Sequence, residues 1–237
     1  KRKRFTKKIA DQDLTLEISP LAERTNAAVL ATYGETSVLV TAVMEPKDRE
    51  INYLPLAVDY EEKFYAAGKI LGSRFIRREG RPSDEAILSG RVIDRTIRPL
   101  FDHRIRRPLQ IVVTVLSYDE ENDPVFPALI AASTALGISD IPWNGPVAGV
   151  GAAKVGDQII LNAKNSDLRN SGLEFDAFIA GTDNAINMIE LAGDSAQEAN
   201  VMEAASKALA SINELVSWQN EIIGEIGQPK AELKLKE

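Results

Sequence analysis

The sequence predicts an α+β domain with mixed β-sheets, packed helices and a long C-terminal helix. Three observations lead to this fold class. Strand-like patterns dominate residues 13–60, a compact helix rich in small residues is indicated at 126–138, and one long helical pattern closes the chain at 195–226. Because 44% of the 237 residues are hydrophobic, the chain is able to bury a substantial core.

The first predicted elements are strands. Alternating apolar and polar residues indicate a half-buried strand over residues 13–19. Two apolar runs, residues 27–33 and 36–44, flank Gly34 and predict a hairpin whose turn lies at this glycine. A further strand is predicted over residues 54–60.

The next element is a helix with a clear start signal. Ser83 is a suitable N-cap residue, and Asp84 and Glu85 place negative charge in the first turn, where the helix dipole favours it. The helix is expected to run to about Arg98, because Pro99 cannot continue it. One side of this helix is predicted to carry Ile87, Gly90, Ile97 and either Ile93 or Asp94.

The second half of the chain alternates between strands and helices. The apolar run 110–118 is typical of a central strand, and residues 126–138 form a helix able to pack closely on a sheet. Gly227 and Pro229 end the last predicted helix. The remaining strands are predicted at 147–155, 158–162, 173–180 and 185–191, the last two forming a hairpin with its turn at 181–184.

Composition excludes several classes of site. The chain has no cysteine, so disulfides and thiolate metal sites are ruled out, and its single histidine, His103, receives no role. No apolar run approaches the length of a membrane span. The basic start at residues 1–8 lacks the apolar segment of a signal peptide, so we predict a solvated arm and a cytoplasmic location.

Positive charge is concentrated in one segment of an acidic chain. The net charge is −7, yet residues 72–108 hold ten Arg against five Asp and Glu, while the rest of the chain holds 18 basic against 30 acidic residues. Any binding of a polyanion must therefore be local. Two interpretations stay open from the residues alone: the arginines bind an anion bidentately, or they pair with nearby carboxylates, as Asp94 and Arg98 are spaced to do.

Known phosphate and hydrolase motifs are absent from the sequence. Gly68-Lys69 lacks the other residues of a P-loop, and the stretch 149–154 ends in lysine where a dinucleotide-binding motif requires Gly or Ala. One histidine in a loop offers no credible Ser-His-Asp arrangement.

Longer motifs resemble a known family. The segment LPLAVDYEEKFYAAGKILGSRFIRREGRPSDEAILSGRVIDRTIRPLF is similar to the first RNase PH-like core domain of the bacterial polynucleotide phosphorylase family, and the similarity continues through SDIPWNGPVAGV and FDAFIAGT. It covers almost the whole chain in order. The resemblance implies a Mg²⁺-dependent enzyme that degrades RNA from its 3′ end with inorganic phosphate, releases nucleoside diphosphates and also runs in reverse.

The resemblance also implies an organisation. The RNase PH-like domain is expected to occupy residues 1–228, with 229–237 as a linker remnant toward a helical domain. Expected partners are single-stranded RNA, a second RNase PH-like domain and two further copies in a homotrimer. The alternatives are a non-catalytic RNA-binding and assembly module, and a domain that senses citrate or another polyanion.

Family positions suggest which side chains hold RNA. The loop at 75–78 is implied to line the neck of a central channel, and Ile76 stands where the family has a second aromatic residue. Thr96 replaces an expected proline. The implied RNA-binding residues are Phe75, Arg77, Arg78 and Arg81. The implied supporting anion-binding residues are Arg91, Arg95 and Arg98.

The same comparison implies that this domain lacks a working phosphorolytic site. Asp123 falls where active domains have a serine-rich phosphate-binding turn, and a carboxylate there repels phosphate. Of two aspartates expected near the last hairpin, Asp176 matches one and Asn170, a poor Mg²⁺ ligand, replaces the other. We therefore expect no catalytic residue and no metal site here, with Asp176 as a vestige and Mg²⁺ bound mainly elsewhere.

Overall fold

A computed structural model describes residues 2–70, 72, 80–169, 172–233 and 235. Ten strands form two sheets, and four α-helices pack around them within these residues. The predicted α+β class, with mixed sheets and a long C-terminal helix, is confirmed. No helix in the described part of the chain is both long enough and apolar enough to cross a membrane.

The first sheet has six strands in the spatial order β1-β2-β3-β4-β6-β5. All neighbouring pairs are antiparallel except β5 and β6, which run parallel. The predicted central strand, β6, lies between β4 and β5 and hydrogen-bonds to both. These strands are β1 Lys3–Ile9, β2 Gln12–Ile18, β3 Ala27–Tyr33, β4 Thr36–Met44, β5 Leu56–Glu62 and β6 Leu109–Ser117.

The second sheet has four antiparallel strands in the order β10-β9-β7-β8. Its predicted hairpin is present, and Asn184 turns the chain with φ 61°. The Asn184 N–H donates to Oδ1 of Asn213 at 2.9 Å, which ties this turn to the last helix. These strands are β7 Ala148–Val155, β8 Gln158–Leu161, β9 Leu173–Thr182 and β10 Ala185–Gly193.

The helices fill the space between and around the sheets. All 14 residues of α2 are buried, because its small side chains allow close packing on β3, β4 and β7. The last helix, α4, covers β7 and β9, and α1 packs on β5, where Gly90 allows a close approach to Tyr60. The helices are α1 Asp84–Ile97, α2 Val125–Ile138, the short α3 Asn165–Leu168 and α4 Glu198–Ile226.

The signals for α1 are confirmed with one exception. The Ser83 side chain accepts a hydrogen bond from the Ala86 N–H at 3.0 Å, so it caps the helix as predicted. Ile93 and Ile97 are buried, but Ile87 is 49% exposed and was wrongly placed on the packed side. The packed side is instead completed by Val92, which lies closer to Ile93 around the helix axis.

Two predictions about the ends of the chain are corrected. The basic start is an edge strand, β1, and Arg2 and Arg4 pair with the buried carboxylate of Glu17 on β2. Exposed basic side chains alternating with inward residues are typical of a protected sheet edge. At the other end, Lys230 donates to three carbonyl groups at the end of α2, so the start of the predicted linker is docked on the domain.

Candidate functional site

The site lies where β6 passes into α2, and Asp119 organises this loop. The Asp119 carboxylate accepts hydrogen bonds from the backbone N–H groups of Glu121, Asn122 and Glu35, and from the Asn122 side-chain amide at 2.6 Å. Burial alone would raise the pKa of Asp119, but these hydrogen bonds outweigh it and lower the pKa to about 2. The loop that precedes α2 is therefore held in one geometry.

Asp123 occupies the start of α2 itself. Its Oδ1 accepts a hydrogen bond from the Val125 N–H at 2.9 Å, so the carboxylate takes the position at the helix N-terminus that suits an anion. Asp123 is open to solvent on one side but enclosed by protein on the others. This enclosure raises the pKa of its carboxyl despite the Val125 hydrogen bond, and the negative charges of Asp176 and Glu62 raise it further.

Asp176 reaches the same place from the second sheet. It lies on β9, pairs with Ala153 and Ala192 of the neighbouring strands, and is half-buried. Burial raises the pKa of its carboxyl, and the Ala177 N–H partly opposes this effect. The fold therefore brings together Asp123 and Asp176, which the sequence alone aligned with separate parts of an active centre.

Sequence reasoning missed two further members of the site, both at the end of β5. The Tyr60 hydroxyl is buried, and this burial, followed by the charges of Asp123 and Glu62, raises its pKa well above 10. Glu62 accepts a hydrogen bond from the Ser83 hydroxyl at 3.0 Å, which joins the site to the start of α1. Only the parallel pairing of β5 with β6 brings these residues here, and no local pattern signals it.

The predicted arginines fall into three groups. Arg81, Arg91 and Arg95 are exposed and have no hydrogen-bond or ion-pair partner in the described part of the chain. A second group, Arg77 and Arg78, lies outside the described residues. The same holds for the predicted residue Phe75 and for Asn170.

Arg98 is engaged within the domain. It donates to both carboxylate oxygens of Asp94, at 2.9 and 2.6 Å, and to the Leu56 carbonyl at 3.1 Å. Its side chain is only 35% exposed. This geometry favours a structural role, joining α1 to β5, over the predicted anion contact.

The chemistry available at this site is limited. Its carboxylates repel an incoming phosphate, and Asp123 already occupies the N-terminus of α2. The described residues contain no group of three or more His, Cys, Asp or Glu side chains placed to hold a metal ion. The site therefore combines a cluster of acidic side chains with exposed arginines on the adjoining helix α1.

The fold and this site define the class of protein. Residues 11–142 match domain 1 of the 3′ exoribonuclease family, RNase PH, and residues 145–211 match domain 2 of the same family. The chain belongs to this family, and the resemblance predicted from the sequence is confirmed.

Curated proteins of the same family show which members this chain is similar to. The chain is 45% identical over 226 residues to a polyribonucleotide nucleotidyltransferase of Exiguobacterium sibiricum, covering 95% of this chain and 30% of the relative. It is 46% identical over 222 residues to the protein of that name from Streptococcus thermophilus, covering 94% of this chain and 30% of the relative. The chain thus spans about 30% of the length of these relatives.

A solved structure supports the fold. The structure of Rrp46 from rice, Oryza sativa, superposes with a TM-score of 0.71 and covers 89% of this chain and 94% of its own. The sequences are only 14% identical, so this likeness concerns the fold alone.

Proposed function

We propose that this chain is the first core domain of a phosphate-dependent 3′-to-5′ exoribonuclease, which converts RNA and phosphate reversibly into nucleoside diphosphates. In this proposal the domain supplies RNA grip and a trimer scaffold, and a second RNase PH-like domain carries the phosphorolytic site. The name of the relatives and the 30% of their length that the chain spans support this division.

The observation that best supports placing the phosphorolytic site in a second domain is the position of the Asp123 carboxylate. A phosphorolytic centre must bind inorganic phosphate, and a helix N-terminus is a favourable place for it. Here the Asp123 carboxylate accepts the Val125 N–H at this position, and Asp176 and Glu62 add negative charge. Phosphate is therefore repelled where the resemblance places the phosphate-binding turn.

Magnesium belongs to the proposal for the whole enzyme, since charge on the transferred phosphoryl group must be stabilised. The donor set of this domain does not fit a tightly held ion. One oxygen of the Asp123 carboxylate accepts a hydrogen bond from the Val125 N–H, and the described residues contain no group of three or more His, Cys, Asp or Glu side chains placed to hold a metal ion. We propose that Mg²⁺ is held mainly outside this domain.

A single assay tests the division. The purified 237-residue chain is incubated with poly(A), radiolabelled phosphate and Mg²⁺, in parallel with a longer chain that includes a second RNase PH-like domain. We expect labelled ADP only from the longer chain. Labelled ADP from the short chain, abolished by Asp176→Asn, would show that this domain carries a working site.

RNA grip is tested by arginine substitutions. Arg77, Arg78 and Arg81 are proposed to contact the RNA backbone with the help of Phe75, while Arg91 and Arg95 extend the positive surface along α1. Replacing Arg77 and Arg78 with alanine is expected to weaken binding of single-stranded RNA and to reduce its salt dependence. Arg24→Ala, at an exposed loop position, is the matched control. Unchanged affinity and salt slope in the double variant would refute the proposed grip.

Assembly and location complete the proposal. A homotrimer is proposed for the enzyme, and its mass in solution is measured by light scattering as a function of protein concentration. A monomer at every concentration, in a chain that contains both core domains, would contradict the scaffold role. The proposed location is the cytoplasm, where RNA and phosphate are both present.

A further inference from the structure

Two aromatic rings are exposed on one turn beside the site. Residues Phe64–Ala67 form a 3-10 turn directly after β5, which we call the aromatic turn. Phe64 is 46% exposed and Tyr65 is 58% exposed, and neither ring packs on the core or on another ring of the described residues. Large apolar side chains left open side by side are typical of a binding surface.

The aromatic turn is rigid, although its rings are not packed. The Ala66 N–H donates to the Lys63 carbonyl at 2.9 Å, and Gly68 closes the turn in the left-handed conformation with φ 65°. The Ala66 carbonyl accepts the Tyr118 N–H at 2.9 Å, which anchors the turn to the end of β6. The backbone that carries the two rings is therefore ordered before any ligand arrives, so less backbone entropy is lost on binding.

The position of the aromatic turn connects two parts of the site. On one side Glu62 contacts Ser83 and influences the pKa of Asp123. On the other side the chain continues toward the arginine-rich segment at residues 72–81. Because the exposed Arg81 lies two residues before Ser83, the Glu62–Ser83 hydrogen bond brings the aromatic turn and this arginine to the same part of the domain.

The surroundings favour a nucleic acid over an apolar partner. Lys63 and Lys69 flank the aromatic turn. Lys63 forms an ion pair with Glu61 at 3.0 Å and its side chain is 24% exposed, whereas the Lys69 side chain is 67% exposed and lies 4.0 Å from Glu120, so Lys69 is the more accessible cation. Aromatic faces between cationic side chains suit unpaired bases and their phosphates. Adjacent residues of a 3-10 turn point about 120° apart, so the two rings offer separate faces rather than one clamp.

We propose that Phe64 and Tyr65 form a stacking platform for the bases of single-stranded RNA, in addition to the arginine-rich segment. This inference rests on the proposed RNA-binding function of the domain. Every base has an aromatic face, so such a platform binds RNA without reading its sequence.

Alanine substitutions test the platform in the 237-residue chain with a fluorescein-labelled oligoadenylate. Phe64→Ala and Tyr65→Ala are each expected to raise Kd roughly 5- to 150-fold, the effect of losing one stacked base. Phe64→Tyr and Tyr65→Phe keep a ring and should bind like the wild type. The matched control is Tyr53→Ala, because Tyr53 is 61% exposed but precedes β5 and lies at its opposite end.

The salt dependence separates this inference from the arginine contacts. Removing a ring removes no charge, so the slope of log K against log salt should stay unchanged in the aromatic variants, whereas Arg81→Ala should lower it. Phe64→Trp adds an exposed indole to two buried tryptophans, Trp143 and Trp218, and oligoadenylate should quench its fluorescence by stacking.

Three results would overturn the inference. Wild-type RNA affinity in Phe64→Ala and Tyr65→Ala, with no fluorescence quenching in Phe64→Trp, would contradict the stacking role of the two rings. It would leave the proposed RNA binding by the arginines unaffected. Wild-type RNA affinity together with a changed oligomeric mass would assign the rings to a protein contact. No RNA binding by the wild-type chain would reject the proposed grip and the platform together.

Discussion

The carboxylate of Asp176 lies near enough to Asp123 to raise the pKa of the Asp123 carboxyl. The two residues are separated in sequence by α2, β7, β8 and α3, and they come together because α2 packs on β7, the strand that pairs with β9. This pair concentrates negative charge at the start of α2, where the proposed function expects no phosphate to bind.

The first prediction concerns Asp123→Asn. Partial enclosure by protein raises the folded-state pKa of Asp123, so its stabilising contribution is present below the usual value of 3.8 and is lost as the pH rises through the raised value. The stability of the variant relative to the wild type should therefore improve between about pH 3 and pH 7. Urea unfolding at both pH values measures this difference. Asp157→Asn, at an exposed turn, is the control, and an equal pH response in both variants would contradict the prediction.

The second prediction concerns Asp119→Asn and has the opposite sign. The pKa of Asp119 is lowered to about 2, so its contribution is present above 3.8 and is lost as the pH falls toward 2. The variant should be less stable by about 2 kcal/mol near neutral pH. Urea unfolding should show this deficit shrinking below pH 3.8. A deficit that stays constant with pH would mean that lost packing, rather than lost charge, weakens the loop.

The third prediction distinguishes a structural arginine, Arg98 at the end of α1, from the exposed arginines Arg91 and Arg95 within α1. Arg98→Ala removes two hydrogen bonds to Asp94 and one to the Leu56 carbonyl, so it should lower stability by about 1–2 kcal/mol with little effect on RNA affinity. Arg91→Ala and Arg95→Ala remove exposed charges that have no ion-pair partner among the described residues, so they should weaken RNA binding and leave stability within about 0.5 kcal/mol. Thermal unfolding and fluorescence anisotropy measure the two effects. A loss of RNA affinity in Arg98→Ala equal to that in Arg91→Ala would restore Arg98 to the binding surface.

The fourth prediction concerns Lys230→Met. The Lys230 ammonium donates to the carbonyls of Leu136, Gly137 and Ser139 at 2.7–2.9 Å, where the negative end of the α2 dipole also favours it. Losing these contacts should destabilise the domain by about 1 kcal/mol and expose the chain after α4 to proteases. Limited proteolysis followed by mass spectrometry locates the cleavage. Lys207→Met, which loses only an exposed ion pair with Glu203, should be cleaved like the wild type.

Sequence reasoning predicted elements well wherever the signal was local. The N-cap at Ser83, the hairpin turn at Gly34 and the small-residue pattern of α2 each depend on neighbouring residues, and each is present. The basic start was misjudged because its charges conceal an alternation whose inward side includes Ile9. That alternation matters only once β2 is beside it to accept hydrogen bonds and ion pairs.

The sequence by itself determined the order of strands and helices, the family, and the arginine-rich segment, because periodicity, turn residues and motifs are local properties. Only the tertiary structure decided which side chains share the site. The parallel pairing of β5 with β6 brings in Tyr60 and Glu62, and the packing of α2 on β7, the neighbour of β9, brings Asp176 to Asp123. The tertiary structure also decided that Arg98 forms hydrogen bonds within the domain, whereas the rings of Phe64 and Tyr65 are exposed to solvent. These outcomes depend on contacts between residues distant in sequence, which no local pattern encodes.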